Sequence, residues 1–101
     1  FWDVILKNNI AQKCNDGYVN EFDTSSDYNI SDLIGDAPGL NSKNNVTVDF
    51  VDVFNDDFHL NSADTVARDS GEVLDSQFGE DIDAEIRSGI FWDVGADEYN
   101  E

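Results

Sequence analysis

The sequence predicts an all-β, loop-rich fold, and three observations carry that reading. No stretch keeps apolar residues at i, i+3, i+4 spacing for more than about ten residues, so no long amphipathic helix is expected. Val46 to Phe54, VTVDFVDVF, alternates apolar and polar residues as a half-buried strand does. Turn formers punctuate the chain at Asn15-Asp16-Gly17, Pro38-Gly39 and Asn44-Asn45.

The 101 residues form one domain in three parts, 1–13, 14–54 and 55–101. In the first, Trp2, Val4 and Leu6 face one side of a strand and Phe1 and Ile5 the other, which suits burial on both faces or donation to a neighbour. Asn8-Asn9 reads as a turn or as the start of a stacked asparagine ladder. In the middle part, Tyr18, Val19 and Phe22 make a short strand, and Tyr28 to Ile34 makes a strand or one helical turn. Gly35 to Asn45 is the longest loop. Within VTVDFVDVF the apolar phase moves by one residue, placing a bulge near Phe50-Val51 or a corner between two strands. The last part holds only short apolar pieces, with one helical turn expected at Val73 to Phe78. Phe1-Trp2-Asp3-Val4 recurs as Phe91-Trp92-Asp93-Val94, either because the two ends pack in equivalent environments or by coincidence.

Charge is the dominant compositional fact. Five Lys+Arg stand against 23 Asp+Glu, a formal net charge of −18. Nucleic acid and anionic membrane surfaces are excluded as partners, because binding phosphates needs a basic footprint. The imbalance is uneven, with net −4 over residues 1–43 and net −14 over 44–101. Self-repulsion of that size calls for neutralisation by bound divalent cations, or else for a well-solvated surface. Seventeen of the acids are Asp and six are Glu; the shorter side chain suits turns and tight oxygen cages alike. A single cysteine, Cys14, excludes an intrachain disulfide. With no initiator Met, no signal peptide and no membrane-spanning apolar run, the chain reads as a processed or excised piece.

Asp57-Phe58-His59-Leu60, then Ser62 with Ala67, Asp69 and Gly71, then Asp81-Ile82-Asp83 with Arg87, and finally Asp93-Val94-Gly95-Ala96-Asp97-Glu98-Tyr99 come in a distinctive order. That order resembles the C-terminal signature of secreted bacterial right-handed parallel β-helix proteins of the choice-of-anchor Q domain type. Ala84 and Ile86 stand where that family has Gly and Pro, and Ala63 follows Ser62 where it has Pro. The resemblance implies short parallel β-helix rungs ending in a loop-rich cap, outside the cell or on its surface. It carries no catalytic residue, since fold does not imply function.

The residues themselves point to structure more than to catalysis. His59, the only histidine, lies between Phe58 and Leu60 and reads as a packed, hydrogen-bonded residue. Arg68 and Arg87 read as internal counter-ions, Arg68 beside Asp69 and Arg87 after Asp81 and Asp83. Calcium ligands are expected at Asp56 and Asp57 and at Asp81, Asp83 and Glu85, where hard oxygens lie close in sequence, although no EF-hand pattern occurs. Asn29 and Asn45 head the two N-x-[ST] acceptor patterns. The expected function is a non-enzymatic extracellular subunit whose N-terminal ribbon (Phe1, Trp2, Val4, Ile5, Leu6) joins the next copy head to tail in a fibre, stabilised by calcium. The rival is the C-terminal cap of a larger β-helix enzyme or carbohydrate-binding adhesin.

Overall fold

The structure, a computed structural model, describes residues 4–19, 22–74, 79–87 and 92–99. It is strand-rich, and the described residues contain no α-helix. Among the described residues no helix is long and apolar enough to cross a membrane.

The first half is held by parallel pairing. Strand β1 (Ile10–Ala11) lies parallel to β2 (Ile30–Ser31) with Ile10 opposite Ile30, and Lys7 bridges Asp27 upstream in the same sense. On its far side β2 receives Lys43: the Lys43 N–H donates to the Asn29 carbonyl at 2.8 Å and the Ser31 N–H to the Lys43 carbonyl at 2.9 Å. Three segments thus stack side by side, and Ile10, Ile30 and Val46 all reach the core. Strands β3 (Phe50–Asp52) and β4 (Asp57–Leu60) form an antiparallel hairpin through a 3-10 turn at Val53–Asn55. Asp56 closes that turn with φ 59°, a left-handed position that Asp tolerates. The hairpin register shifts between Phe50 and Asp52, where the sequence moves its apolar phase. Val46 to Phe54 is accordingly not one strand, because β3 covers only Phe50–Asp52 and the last two residues, Val53 and Phe54, turn.

Two further expectations shift. Tyr18 and Val19 form no strand, and Tyr18 instead donates its hydroxyl to the Asn9 and Ile30 carbonyls at 2.9 and 3.0 Å. No repeated solenoid coil is seen among the described residues, which form two two-stranded sheets. The recurrence of Phe1 to Val4 lies partly outside the described residues, as does the end of the Val73 to Phe78 turn.

One core joins the parts. Ile30, Val48, Leu60, Ala67 and Val94 are almost wholly buried, with Phe50, Val66 and Tyr99 packed against them. Beside this core runs a buried polar seam. Asn29, 0% exposed, accepts at Oδ1 from the Asn9 N–H and the Asn9 side-chain amide, both at 3.1 Å, and donates through Nδ2 to the Leu6 and Pro38 carbonyls. The ladder reading of Asn8-Asn9 is therefore the one the fold uses, through Asn9. Asn29, one of the two expected glycan acceptors, has its amide enclosed and hydrogen-bonded. Asn45 is exposed.

The described part of the N-terminal ribbon makes hydrogen bonds within its own chain. The Asp23 N–H donates to the Val4 carbonyl at 2.8 Å, and the Asp27 N–H to the Leu6 carbonyl at 3.1 Å, so Val4 and Leu6 pair within their own chain. Phe1 and Trp2 lie outside the described residues. Val4 and Ile5 nevertheless stay 44% and 54% exposed, and Ile5 makes no backbone hydrogen bond to a described residue.

Replacing Asn29 by Ala leaves the Asn9 N–H without its acceptor and takes one of two donors from the Leu6 and Pro38 carbonyls, which keep the Asp27 N–H and the Ser42 hydroxyl. A buried hydrogen-bonding group left unsatisfied costs about 1–3 kcal/mol. Urea titration is expected to give a loss of roughly 2–4 kcal/mol for Asn29→Ala and under about 1 kcal/mol for Asn9→Ala, which removes the exposed end of the same seam. Equal losses would contradict the seam's buried end as its anchor.

Candidate functional site

The chemistry-bearing residues gather in the C-terminal part, where carboxylates take over the work of a sheet ladder. Asp64, 2% exposed, accepts the Asp49 N–H at one oxygen and the Ala67 and Arg68 N–H groups at the other. Asp93, also 2% exposed, accepts the Asp69 N–H at 2.6 Å and the Tyr99 N–H at 2.7 Å. Asp97 takes the Leu60 N–H at 2.8 Å and Glu98 the Asp93 N–H at 3.0 Å. Asp81 accepts the Asp83 and Glu85 N–H groups within its own turn and the Glu98 N–H across from it. Loops this irregular leave buried N–H groups that must find acceptors, and a short carboxylate is the nearest one.

Arg87 is the cation at the centre. It is 8% exposed and donates to the Glu80, Asp93 and Gly95 carbonyls and to Glu98 Oε1 at 3.2 Å, with its guanidinium 5.1 Å from the Trp92 ring centre. Its acidic partner is Glu98, not the Asp81 or Asp83 that sequence proximity suggests. Arg68 donates to the Ser62 carbonyl at 2.8 Å and sits 4.3 Å from the Tyr99 ring centre.

Three groups bring potential metal-ligand atoms within 4.8 Å of one another: Asp81, Asp83 and Glu85; His59, Asp83 and Asp97; and Asp69, Asp93 and Glu98. The first is the cluster expected at that turn. Asp56 and Asp57 do not join it, since Asp56 closes the hairpin turn and Asp57 is held by His59. The second and third escape sequence reading because their members lie up to 38 residues apart. His59 is hydrogen-bonded as expected but half-exposed, with Nδ1 2.6 Å from Asp57 Oδ1 and Nε2 2.8 Å from both oxygens of Asp83. Carboxylates only accept, so both ring nitrogens carry protons and His59 is an imidazolium. Its bonds to Asp83 and Asp57 raise its pKa to about 9.

Burial raises the pKa of Asp93 and Asp97 and pushes Glu98 up to about 7. Arg87 offsets the Glu98 effect only in part, because its guanidinium is shared with three carbonyls. Burial works against ionised Asp81 as well, but there the Glu98, Glu85 and Asp83 N–H groups outweigh it and its pKa is lowered.

Between β1 and the C-terminal part lies a cavity of about 730 Å³, lined in part by Ile10, Phe50, Phe58, Leu74 and Ile82. Polar groups on its wall are already engaged, Gln12 with the Val48 backbone and Arg87 as above. Comparison with protein-family models, with curated proteins and with solved structures finds no match for the chain.

A carboxyl whose pKa is higher folded than unfolded binds more protons in the native state. For Glu98 the stabilisation is complete below about 4.5 and lost as pH rises through 7; for His59 it is complete below 6.5 and lost as pH rises through 9. Asp93 and Asp97 act in the same direction. The melting temperature is therefore expected to rise by about 5 °C or more from pH 8.5 to pH 5.5, given roughly 4–8 °C per kcal/mol in a chain of this size. Glu98→Gln, which mimics the protonated acid, should melt no lower than the parent at pH 8 and show a flatter pH profile; a large loss at pH 8 would instead make the ionised pair with Arg87 the stabilising form.

Proposed function

We propose that the chain is a non-enzymatic structural module of the extracellular space or cell surface that grows head to tail by adding β structure at its open N-terminal edge. The observation that supports it most is the use of the acids: Asp64, Asp93, Asp97 and Glu98 are buried and spend their oxygens on backbone N–H groups. Carboxylates so engaged serve cohesion. The apolar, half-exposed Val4 and Ile5, with no described residue bonded to the Ile5 backbone, offer an edge of the kind that takes up another strand. The occupant is the next copy of the chain, in a heterologous contact that does not close on itself.

Calcium at Asp81, Asp83 and Glu85 belongs to this reading, because three close carboxylates at an exposed turn supply the hard oxygens it prefers. Exposed Asn45 remains the glycan acceptor in a host that modifies such sites. A second reading, favoured by the parallel pairing of Lys7 with Asp27 and of Ile10 with Ile30, makes the chain the closing turns of a larger parallel β-helix protein that acts on or binds carbohydrate. The offset of 20 residues in both pairs falls at the lower end of solenoid repeat lengths.

Negative-stain microscopy and sedimentation of the purified chain are expected to give fibres, and Ile5→Lys to give monomers with an unchanged circular dichroism spectrum. Monodisperse particles from the parent chain favour the larger β-helix protein instead. Chelation of calcium is expected to lower the melting temperature by several degrees; an unchanged melt removes calcium from the reading.

A further inference from the structure

Exposed Asp16 precedes Gly17 in the bend that follows β1, and the two make the only Asp-Gly step in the sequence. Packing requires the glycine. A Cβ at that position would collide with an Asp36 carboxylate oxygen and lie 2.7 Å from the Ala11 Cβ. The step is therefore fixed at its second residue by the fold, while its first residue faces water.

The carboxyl of an aspartate can be attacked by the main-chain nitrogen that follows it. In a folded chain the reaction needs a nitrogen free of a hydrogen bond, a carboxyl free to turn and little bulk on the next residue. All three conditions meet at Asp16. Neither the Gly17 N–H nor the Asp16 carboxylate bonds a described residue. The other described aspartates that precede Ala or Ser are guarded. The Ala37 N–H after Asp36 donates to Asn44 Oδ1 at 2.7 Å, the Ser70 N–H after Asp69 to the Ala67 carbonyl at 3.4 Å, and the Ala84 N–H after Asp83 to the Asp81 carbonyl at 3.0 Å. Two of those carboxylates are held as well, Asp36 by the Ser31 hydroxyl and Asp83 by His59. An N–H that must first give up its hydrogen bond reacts about fivefold or more slowly.

We propose that Asp16-Gly17 is a site of spontaneous isoaspartate formation that the fold leaves unprotected. The Gly17 nitrogen loses its proton and bonds to Asp16 Cγ; the carboxyl oxygen leaves as water, and a succinimide ring closes. Water then adds to the ring at the Asp16 main-chain carbonyl, and the bond from that carbon to the Gly17 nitrogen breaks. The main chain now runs through Cγ, one methylene longer, and the former main-chain carbonyl has become a side-chain carboxylate. One water is lost and one regained, so the mass is unchanged and no cofactor takes part. The added methylene enters directly before Gly17 and Tyr18. Tyr18 is placed by its N–H on Asp36 Oδ1 at 3.2 Å and by its hydroxyl on the Asn9 and Ile30 carbonyls. A longer main chain displaces that tie, so the first two stacked segments loosen as the protein ages.

The test warms the full chain at neutral pH for weeks, folded and in urea, beside Asp16→Glu, which keeps the charge but closes the larger ring poorly. Electron-transfer fragmentation of the tryptic peptides tells isoaspartate from aspartate at equal mass. In the folded parent, isoaspartate at residue 16 is expected to exceed that at Asp36, Asp69 and Asp83 about fivefold or more, and to form as fast as it does in urea. The aged parent is expected to gain a second melting transition about 4 °C or more below the first, absent from aged Asp16→Glu. Should Asp16→Glu fail to fold, the parent's peptides decide alone. No excess at residue 16 over the other three, or formation there about fivefold or more slower when folded than in urea, overturns the proposal. A single unshifted melt in a parent rich in isoaspartate 16 overturns the loosening of the stack.

Discussion

Everything in this fold depends on finding acceptors for backbone N–H groups where there is almost no sheet to provide them. Strands β1 and β2 have two residues each, and β3 and β4 three and four. An unpaired buried N–H costs about as much as a lost hydrogen bond, so irregular segments crossing a core need another source of oxygen. Aspartate is that source. Asp36 takes the Tyr18 N–H, Asp32 the Lys13 N–H, Asp27 the Tyr28 and Asn41 N–H groups, and Asp64 three N–H groups at once. The preference for Asp over Glu follows, since one methylene fewer lets the carboxylate reach the main chain of its own or an adjacent turn.

This use of acid explains how a chain of net charge −18 closes around a single core. A carboxylate that accepts two or three N–H groups has part of its charge met by backbone dipoles, and the deepest acids are also arranged around protons and guanidinium. Burial raises the pKa of Asp97 and so favours its protonated form, while Glu98 and three carbonyls surround Arg87. Arg87 in turn covers Trp92, itself 2% exposed, so the same side chain satisfies carbonyls and shields apolar surface. Removing charge from this region leaves donors without acceptors, which is why acidity here serves cohesion and not solubility alone.

What could be read from the sequence was local. The phase change in VTVDFVDVF located the register shift of the hairpin, because a period of two records which face a residue takes and a slip inverts it. Asn8-Asn9 gave the polar seam, and Asp81, Asp83 and Glu85 gave one acidic cluster, because neighbours in sequence meet in a turn. Relations between distant segments left no periodic trace. The partner of Arg87 is 11 residues away and that of the Asp97 carboxylate 37, and a carboxylate bonded to a main-chain N–H places no demand on the identity of the residue it meets. Asn29 is a further case: Asn-Ile-Ser looks like a surface acceptor, and only the stacking of three segments encloses it. In 46–54 the alternation was real, yet the last two residues turn, since a strand pattern states which faces are apolar and not how far pairing extends.

The distribution of charge bears on the proposed assembly as well. Copies of net charge −18 repel, and at physiological ionic strength that repulsion reaches about 8 Å from a surface, so a docking end must sit where the field is weakest. The open edge at Ile5 belongs to the half with net −4, beside Lys7, whereas the acid-rich half carries −14. Lys7 is paired with Glu72 at 2.8 Å, so the acidic half contributes its own counter-charge to the seam. In the proposed assembly, a strand arriving at Ile5 meets main chain bonded to no described residue, exposed Val4 and a locally neutralised surface, while approach to the far half is opposed by net charge. On the proposed reading, the same acids that satisfy the main chain inside each copy direct growth to one end.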